Sequence, residues 1–261
     1  ALPGPHRLYV TGAAGSLSRL PSPLYYTRQE GAMKHPVLVT IAAVLGMALN
    51  AASRAELPWQ FDAHTRYMAM GDSLSAGYGA TPATQGFAYL LYQGGVFDTV
   101  PNTLFANAAV PGVTSQQVLD HQVPQATDAF RPGIITLTVG GNDLLGILGG
   151  ADPHAVLAGF EINPRALMEK LRTGLPETKI IVGNLYTVPE IPGANEVVPM
   201  FNAIVARVAA DNGAKVADVY SAFLGCNGLL LINRNGAGLY EAHPTNAGHR
   251  AMAQAFGDAL R

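Results

Sequence analysis

The sequence predicts an α/β protein, a three-layer α/β/α sandwich built on a five-stranded parallel sheet. Three observations carry that prediction. Short apolar, β-rich runs occur at 67–70, 104–108, 134–139, 179–185 and 215–219. Helical patterns separate and follow them, around 86–98, 114–124, 154–175, 195–212 and 246–260. Several of the strands end in Gly, Asn or Asp, as strands do when they deliver loops to one edge of a sheet. Strands alternating with crossover helices give a doubly wound sheet, with functional loops beyond the carboxyl ends of its strands.

The first strand, Tyr67-Met68-Ala69-Met70, runs into Gly71-Asp72-Ser73-Leu74-Ser75-Ala76-Gly77-Tyr78-Gly79, and a helical pattern starts near Phe87. Such a Gly-rich segment makes a tight turn. A serine there stands at the carboxyl edge of the sheet, with its N–H among the donors of a helix start. An isolated Asp-Ser pair would more simply cap the helix. The other strand ends decide between the two. Asn107-Ala108-Ala109-Val110-Pro111-Gly112-Val113-Thr114 follows the second strand, and Gly140-Gly141-Asn142-Asp143 the third. His243-Pro244-Thr245-Asn246-Ala247-Gly248-His249 precedes the last helix.

Together these loops supply what acyl transfer needs: a nucleophile, a base and preorganised donors for an oxyanion. Ser73 would attack, and His243 would take its proton and return it to the leaving group. The N–H groups of Ser73 and Gly112 and the amide of Asn142 would hold the oxyanion. A glycine at 112 lets a substrate approach the backbone closely.

Composition narrows the partners. The 261 residues are 49% hydrophobic and 13% charged, enough core for one domain. A formal net charge of −2 gives no reason to expect nucleic acid or an anionic membrane surface. Cys226 is the single cysteine, so neither an intrachain disulfide nor a thiolate metal cluster can form. His64, His121 and His154 lack metal-ligand spacing and read as surface residues.

The N-terminal quarter reads differently. Met33-Lys34-His35, the apolar run Val37 to Leu49 and Ser53-Arg54-Ala55 match a secretory signal with cleavage after Ala55. The apolar run is too short for stable membrane insertion, which needs about 20 residues. Export without disulfides points to a bacterial protein, secreted or periplasmic. Residues 1–32 are then an upstream extension, 33–55 the signal peptide and 56–261 the folded domain. The strand-and-glycine pattern over 8–17 imitates a dinucleotide-binding opening, but Ser18 replaces its third glycine and Pro21 and Pro23 break the helix.

Gly71-Asp72-Ser73-Leu74, Gly112, Gly140-Gly141-Asn142-Asp143 and His243-Pro244-Thr245 resemble, in order, the blocks of the SGNH (GDSL) hydrolases. The resemblance spans roughly 66–260. It implies that family's flavodoxin-like sandwich and a serine esterase or lipase acting on a small ester, with no metal and no cofactor. It implies the same roles for Ser73, Gly112, Asn142 and His243. No Gly-x-Ser-x-Gly surrounds Ser73, which disfavours an ordinary α/β-hydrolase. One position departs from the family. An Asp commonly stands three residues before its histidine, and here Tyr240 does; Glu241 is the nearest acid and the candidate to orient His243. A backbone carbonyl is the alternative.

The remaining polar residues read as supports. Asp72 would tie the nucleophile turn together, Asp143 would brace the turn presenting Asn142, and His249 would pack or cap. Leu144, Leu145, Ile147 and Leu148 serve as core or as an acyl-pocket wall, at least two of them as core. That wall, with Trp59 as the only tryptophan, favours short-to-medium acyl esters over an acetylated sugar. A non-catalytic binding relative and a carbohydrate O-acetyl esterase are the competing functions. The sequence is silent on oligomeric state.

Overall fold

The structure, a computed structural model, describes residues 66–94, 103–188, 193–224, 231–237 and 240–261. The chain divides into two units, Ala1–Pro58 and Trp59–Arg261, and all the described residues belong to the second. The readings of 1–32 and 33–55, and those of His64, Trp59 and Cys226, lie outside them.

All five predicted strands are present: β1 (Arg66–Gly71), β2 (Leu104–Asn107), β3 (Ile134–Thr138), β4 (Lys179–Gly183) and β5 (Lys215–Ala217). They form one parallel sheet in the order β2-β1-β3-β4-β5. The first crossover leads to one side of β1 and the next returns across it to β3. That reversal opens a crevice at the carboxyl ends of β1 and β3, where doubly wound sheets bind ligands.

Helices cover both faces. They are α1 (Phe87–Gln93), a helical segment α2 over 115–130, α3 (Gly141–Leu148), α4 (Pro153–Gly174), α5 (Ala194–Asp211), α6 (Val219–Ala222) and α7 (Asn246–Leu260). Segment α2 is α-helical at Ser115–Gln117 and π-helical at Val118–Gln122 and Gln125–Phe130. Pro124 lies between the π stretches and has no N–H to give to an α-ladder. The sheet's period of two sorts the core. Met68 and Met70 of β1 join Ile135, Leu137 and the aliphatic faces of α2, α4 and α5 on one side. Tyr67 and Ala69 join Phe87, Leu91, Met252 and Phe256 from α1 and α7 on the other. Each large side chain fully buried this way contributes roughly 1.5–3 kcal/mol.

Two features were not anticipated. Helix α3 begins inside the stretch read as a polar loop, since Gly140-Gly141 masks the helix that Leu144 and Leu148 belong to. An antiparallel pair, β6 (Ile232–Arg234) and β7 (Tyr240–Pro244), carries the histidine block and lies outside the main sheet. Thr245 after it caps α7, accepting from the Gly248 N–H at 3.2 Å. Among the described residues, no helix is long and apolar enough to cross a membrane.

The end of β1 is the tightest point. Gly71 pairs in register with Thr138 of β3 and has φ +123°. A β-carbon there would lie 1.9 Å from the Thr138 carbonyl oxygen. Gln122 of α2 seals the same residue, accepting from its N–H at 2.6 Å and donating to its carbonyl at 2.8 Å. Gly71→Ala combines backbone strain with overpacking against main chain and should destabilise the fold by about 3 kcal/mol or more. Chemical denaturation measures this; a loss under about 1 kcal/mol would contradict the account.

Candidate active site

From Gly71 the chain turns sharply, with the Ala76 N–H on the Asp72 carbonyl at 3.1 Å and the Tyr78 N–H on the Ser73 carbonyl at 2.9 Å. Asp72 braces this turn from below. Its Oδ1 accepts from the Leu74 N–H at 3.0 Å and from the Thr138 hydroxyl at 2.8 Å. With its single proton given to Asp72, Thr138 accepts from Ser75 Oγ at 2.8 Å. Asn107 at the end of β2 donates to the Ser75 carbonyl at 2.8 Å. Three strand ends therefore converge on the turn that presents Ser73, which is 9% exposed.

Gly112 and Asn142 are held together by their neighbours. Asn142 Nδ2 donates to the Val113 carbonyl at 2.8 Å. Asp143, the next residue, accepts from the Ser115 N–H at 2.9 Å and the Ser115 hydroxyl at 2.6 Å. Asn163 of α4 donates to that same hydroxyl at 3.0 Å. Asp143 thus braces the Asn142 turn by tying it across to the Gly112 loop. Gly112 has φ +84°, a conformation that favours glycine, and a β-carbon there would project into open space.

His243 arrives from β7. Its Nε2 lies 2.9 Å from Ser73 Oγ. The ring of Tyr78 leans on the imidazole at 4.4 Å between centroids, tilted by 55°. Burial lowers the His243 pKa below its ordinary value, and the Glu241 charge opposes that shift. The imidazole is therefore neutral around pH 7. Extended β7 backbone sends the Glu241 and His243 side chains to one face, the geometry that would let the carboxylate reach. Among the described residues, however, the one hydrogen bond of the ring is with Ser73. No hydrogen bond joins Glu241 to His243 among the described residues.

A cavity of about 390 Å³ opens over these groups. Its lining includes Ser73, Gly112, Asn142 and His243 together with Leu144, Leu145, Leu148, Leu185, Val188 and Val198. Leu144 is buried core as well as cavity wall, Ile147 and Leu148 are partly buried against the core, and Leu145 is exposed.

The supports read from the sequence take definite places. His249 is fully buried, accepts from the Phe87 N–H at 3.2 Å through Nδ1 and meets the Tyr78 carbonyl at 3.0 Å through Nε2. It caps α1 and ties the loop that carries Ser73 to α7. Burial holds its pKa below the ordinary value. His121 and His154 are exposed. Sequence reasoning did not find Tyr78, Thr138, Gln122 or Tyr186. Tyr186, two residues past Asn184 at the carboxyl end of β4, follows the same strand-end signal that marked Gly112 and Asn142.

A parallel three-layer sandwich with a serine, a histidine and amide donors at its carboxyl edge defines a class of α/β protein with the outline of a hydrolase. A model of the GDSL-like lipase/acylhydrolase family matches residues 69–251, and the chain belongs to that family. Comparison with curated proteins finds no match. Among solved structures, phospholipase A1 from Streptomyces albidoflavus is similar at 19% identity, covering 74% of this chain and 98% of its own, with a TM-score of 0.58. The extracellular lipase from Streptomyces rimosus matches at 20% identity over 74% and 99%, TM-score 0.57. A lipase from a goat rumen metagenome matches at 24% identity over 74% and 96%, TM-score 0.62. At these identities the structural likeness speaks for the fold.

The carboxyl of Asp72 is pushed up to about 6, first by burial, with hydrogen bonds from Thr138 and Leu74 opposing. A carboxyl raised on folding is stabilising below its unfolded value, and that contribution is lost as pH rises through the folded value. Asp72 should therefore cost about 2 kcal/mol of stability between pH 4 and pH 7. Asp72→Asn keeps a carbonyl acceptor and should show a smaller decline over that range. Parallel stability curves for the two proteins would contradict this.

Proposed function

We propose that the protein is an exported serine hydrolase cleaving carboxylic esters of short-to-medium acyl chains through an acyl-serine intermediate. The observation that carries this is the 2.9 Å approach of His243 Nε2 to Ser73 Oγ in the cavity that Gly112 and Asn142 also line.

Ser73 Oγ attacks the ester carbonyl while its proton passes to Nε2 of a neutral His243, whose own proton sits on Nδ1. The carbonyl oxygen becomes an oxyanion, held by the N–H groups of Ser73 and Gly112 and by Asn142 Nδ2. Asn142 has two amide hydrogens and uses one on Val113, which fixes the direction of the other. As the carbon–oxygen bond breaks, His243 gives its proton to the departing alkoxide. Water then attacks the acyl-serine with His243 again as base, and Ser73 recovers its proton as the acid leaves. The Glu241 charge stabilises the imidazolium formed in both halves. Each proton and electron pair is accounted for without a metal or cofactor.

The apolar residues that share the cavity with Ser73 support an acyl chain over an acetyl group on a sugar. The solved neighbours include lipases, a phospholipase and an acetyl xylan esterase, so the choice rests on the cavity lining. Export is supported by the Met33–Ala55 pattern.

Ser73→Ala and His243→Ala should each remove nearly all hydrolysis of nitrophenyl esters graded by acyl length, leaving the fold intact. Asn142→Ala should cost about 100- to 1,000-fold in turnover. Near-parental turnover in Asn142→Ala would contradict the oxyanion assignment.

A further inference from the structure

Resting on the reading of Ser73 and His243 as nucleophile and base, we propose that His243 is aimed through its main chain by Tyr186 and Asn233. The two jobs of a triad acid, orientation and charge, are thereby divided. Tyr186 and Asn233 orient the histidine without charge, and Glu241 supplies charge without a hydrogen bond.

The carbonyls on either side of His243 are both held by side chains from elsewhere in the fold. The Tyr186 hydroxyl donates to the Ala242 carbonyl. Asn233 Nδ2, on β6, donates to the Pro244 carbonyl at 2.7 Å and to the Gly79 carbonyl at 3.1 Å. Gly79 belongs to the loop that carries Ser73, so one amide group ties the strand of the base to the loop of the nucleophile. The Ala242 carbonyl belongs to the peptide that leads into His243 and the Pro244 carbonyl to the peptide after Pro244, so the main chain is anchored on both sides of the histidine. The Tyr78 ring limits the imidazole from one face, and the Ser73 hydroxyl marks the end point.

Tyr186 is itself rigid. Its ring stacks on Phe223 at 4.4 Å between centroids and 16° between planes. Burial, with the charges of Asp72 and Glu241, holds its phenol far above the usual range. It therefore remains a protonated donor at any working pH. The hydroxyl is already engaged by Ala242, which makes Tyr186 a positioning residue despite its place in the cavity wall.

The division of labour has a distinct kinetic signature. The titratable groups around the imidazole are Glu241 on β7, Asp72 and Tyr78 from the nucleophile turn, Tyr186 after β4, and His249 on α7. Removing the neutral Tyr186 hydroxyl should move the base without changing its proton affinity. Removing the Glu241 charge should do the reverse. That charge raises the His243 pKa against burial, so its loss lets the free imidazole persist to lower pH.

The test uses the full chain, a soluble nitrophenyl ester and pH profiles of kcat and kcat/KM for Tyr186→Phe, Asn233→Ala and Glu241→Gln. Tyr186→Phe keeps the ring and its stacking. It should lower kcat by about 10- to 100-fold, since a displacement of about 1 Å can cost that much. KM should stay within about twofold and the acid limb of kcat/KM should not move. Asn233→Ala should follow in the same direction. Glu241→Gln should lower kcat more than it changes KM, and its acid limb should shift to lower pH. Turnover within twofold of the parent in both Tyr186→Phe and Asn233→Ala, or losses matching only a smaller folded fraction, would overturn the proposal. Rapid phosphonate labelling of Ser73 in the parent beside a fully active Tyr186→Phe defeats the positioning claim alone. A parent that resists labelling, with Ser73→Ala as active as the parent, defeats the hydrolase reading and the positioning claim with it.

Discussion

At Gly71 the main chain lies so near the Thr138 carbonyl that no β-carbon fits between them, and the placement of Ser73 follows from that constraint. A residue with a β-carbon would push β1 and β3 apart at their carboxyl ends. Because the two strands stay in register there, the Thr138 hydroxyl meets Asp72 and Ser75 one turn later. Asp72 is buried beside that hydroxyl, and burial raises the pKa of its carboxyl. Asp72 ties the turn to β3 through the Leu74 N–H and the Thr138 hydroxyl.

Much of the fold was legible because its elements are long and strongly patterned. The five strands fall where the apolar runs place them, and the helices over 153–174, 194–211 and 246–260 match within a residue or two. What escaped notice is short or built from long-range contacts. Helix α3 hides behind two glycines, and β6 becomes a strand only by pairing with β7.

The site divides along the same line. Ser73, Gly112, Asn142 and His243 could be read because each sits at a strand end or before a helix, and all four line one cavity. Their spacing in the sequence says nothing of Tyr186 on Ala242 or of Asn233 on Pro244, which join residues 56 and 11 positions apart. Glu241 shows the limit most clearly. Residues 241 and 243 alternate on the extended β7, whereas contact depends on the reach of a side chain, which no pattern encodes. The apolar wall lies between these cases. Leu144 and Leu148 were placed beside Asn142 by adjacency, and Leu185, Val188 and Val198 came to the same wall by folding.

The central claim is that Ser73, Gly112, Asn142 and His243 form one acyl-transfer site. The most direct measurement is a crystal structure of the full chain inactivated by an alkyl phosphonate ester, which mimics the tetrahedral intermediate. The account predicts phosphorus bonded to Ser73 Oγ, its alkyl chain along Leu144, Leu148 and Val198, and its unesterified oxygen within about 3.1 Å of the Gly112 nitrogen and Asn142 Nδ2. Phosphorus on another residue, or an oxygen turned away from both donors, would contradict it.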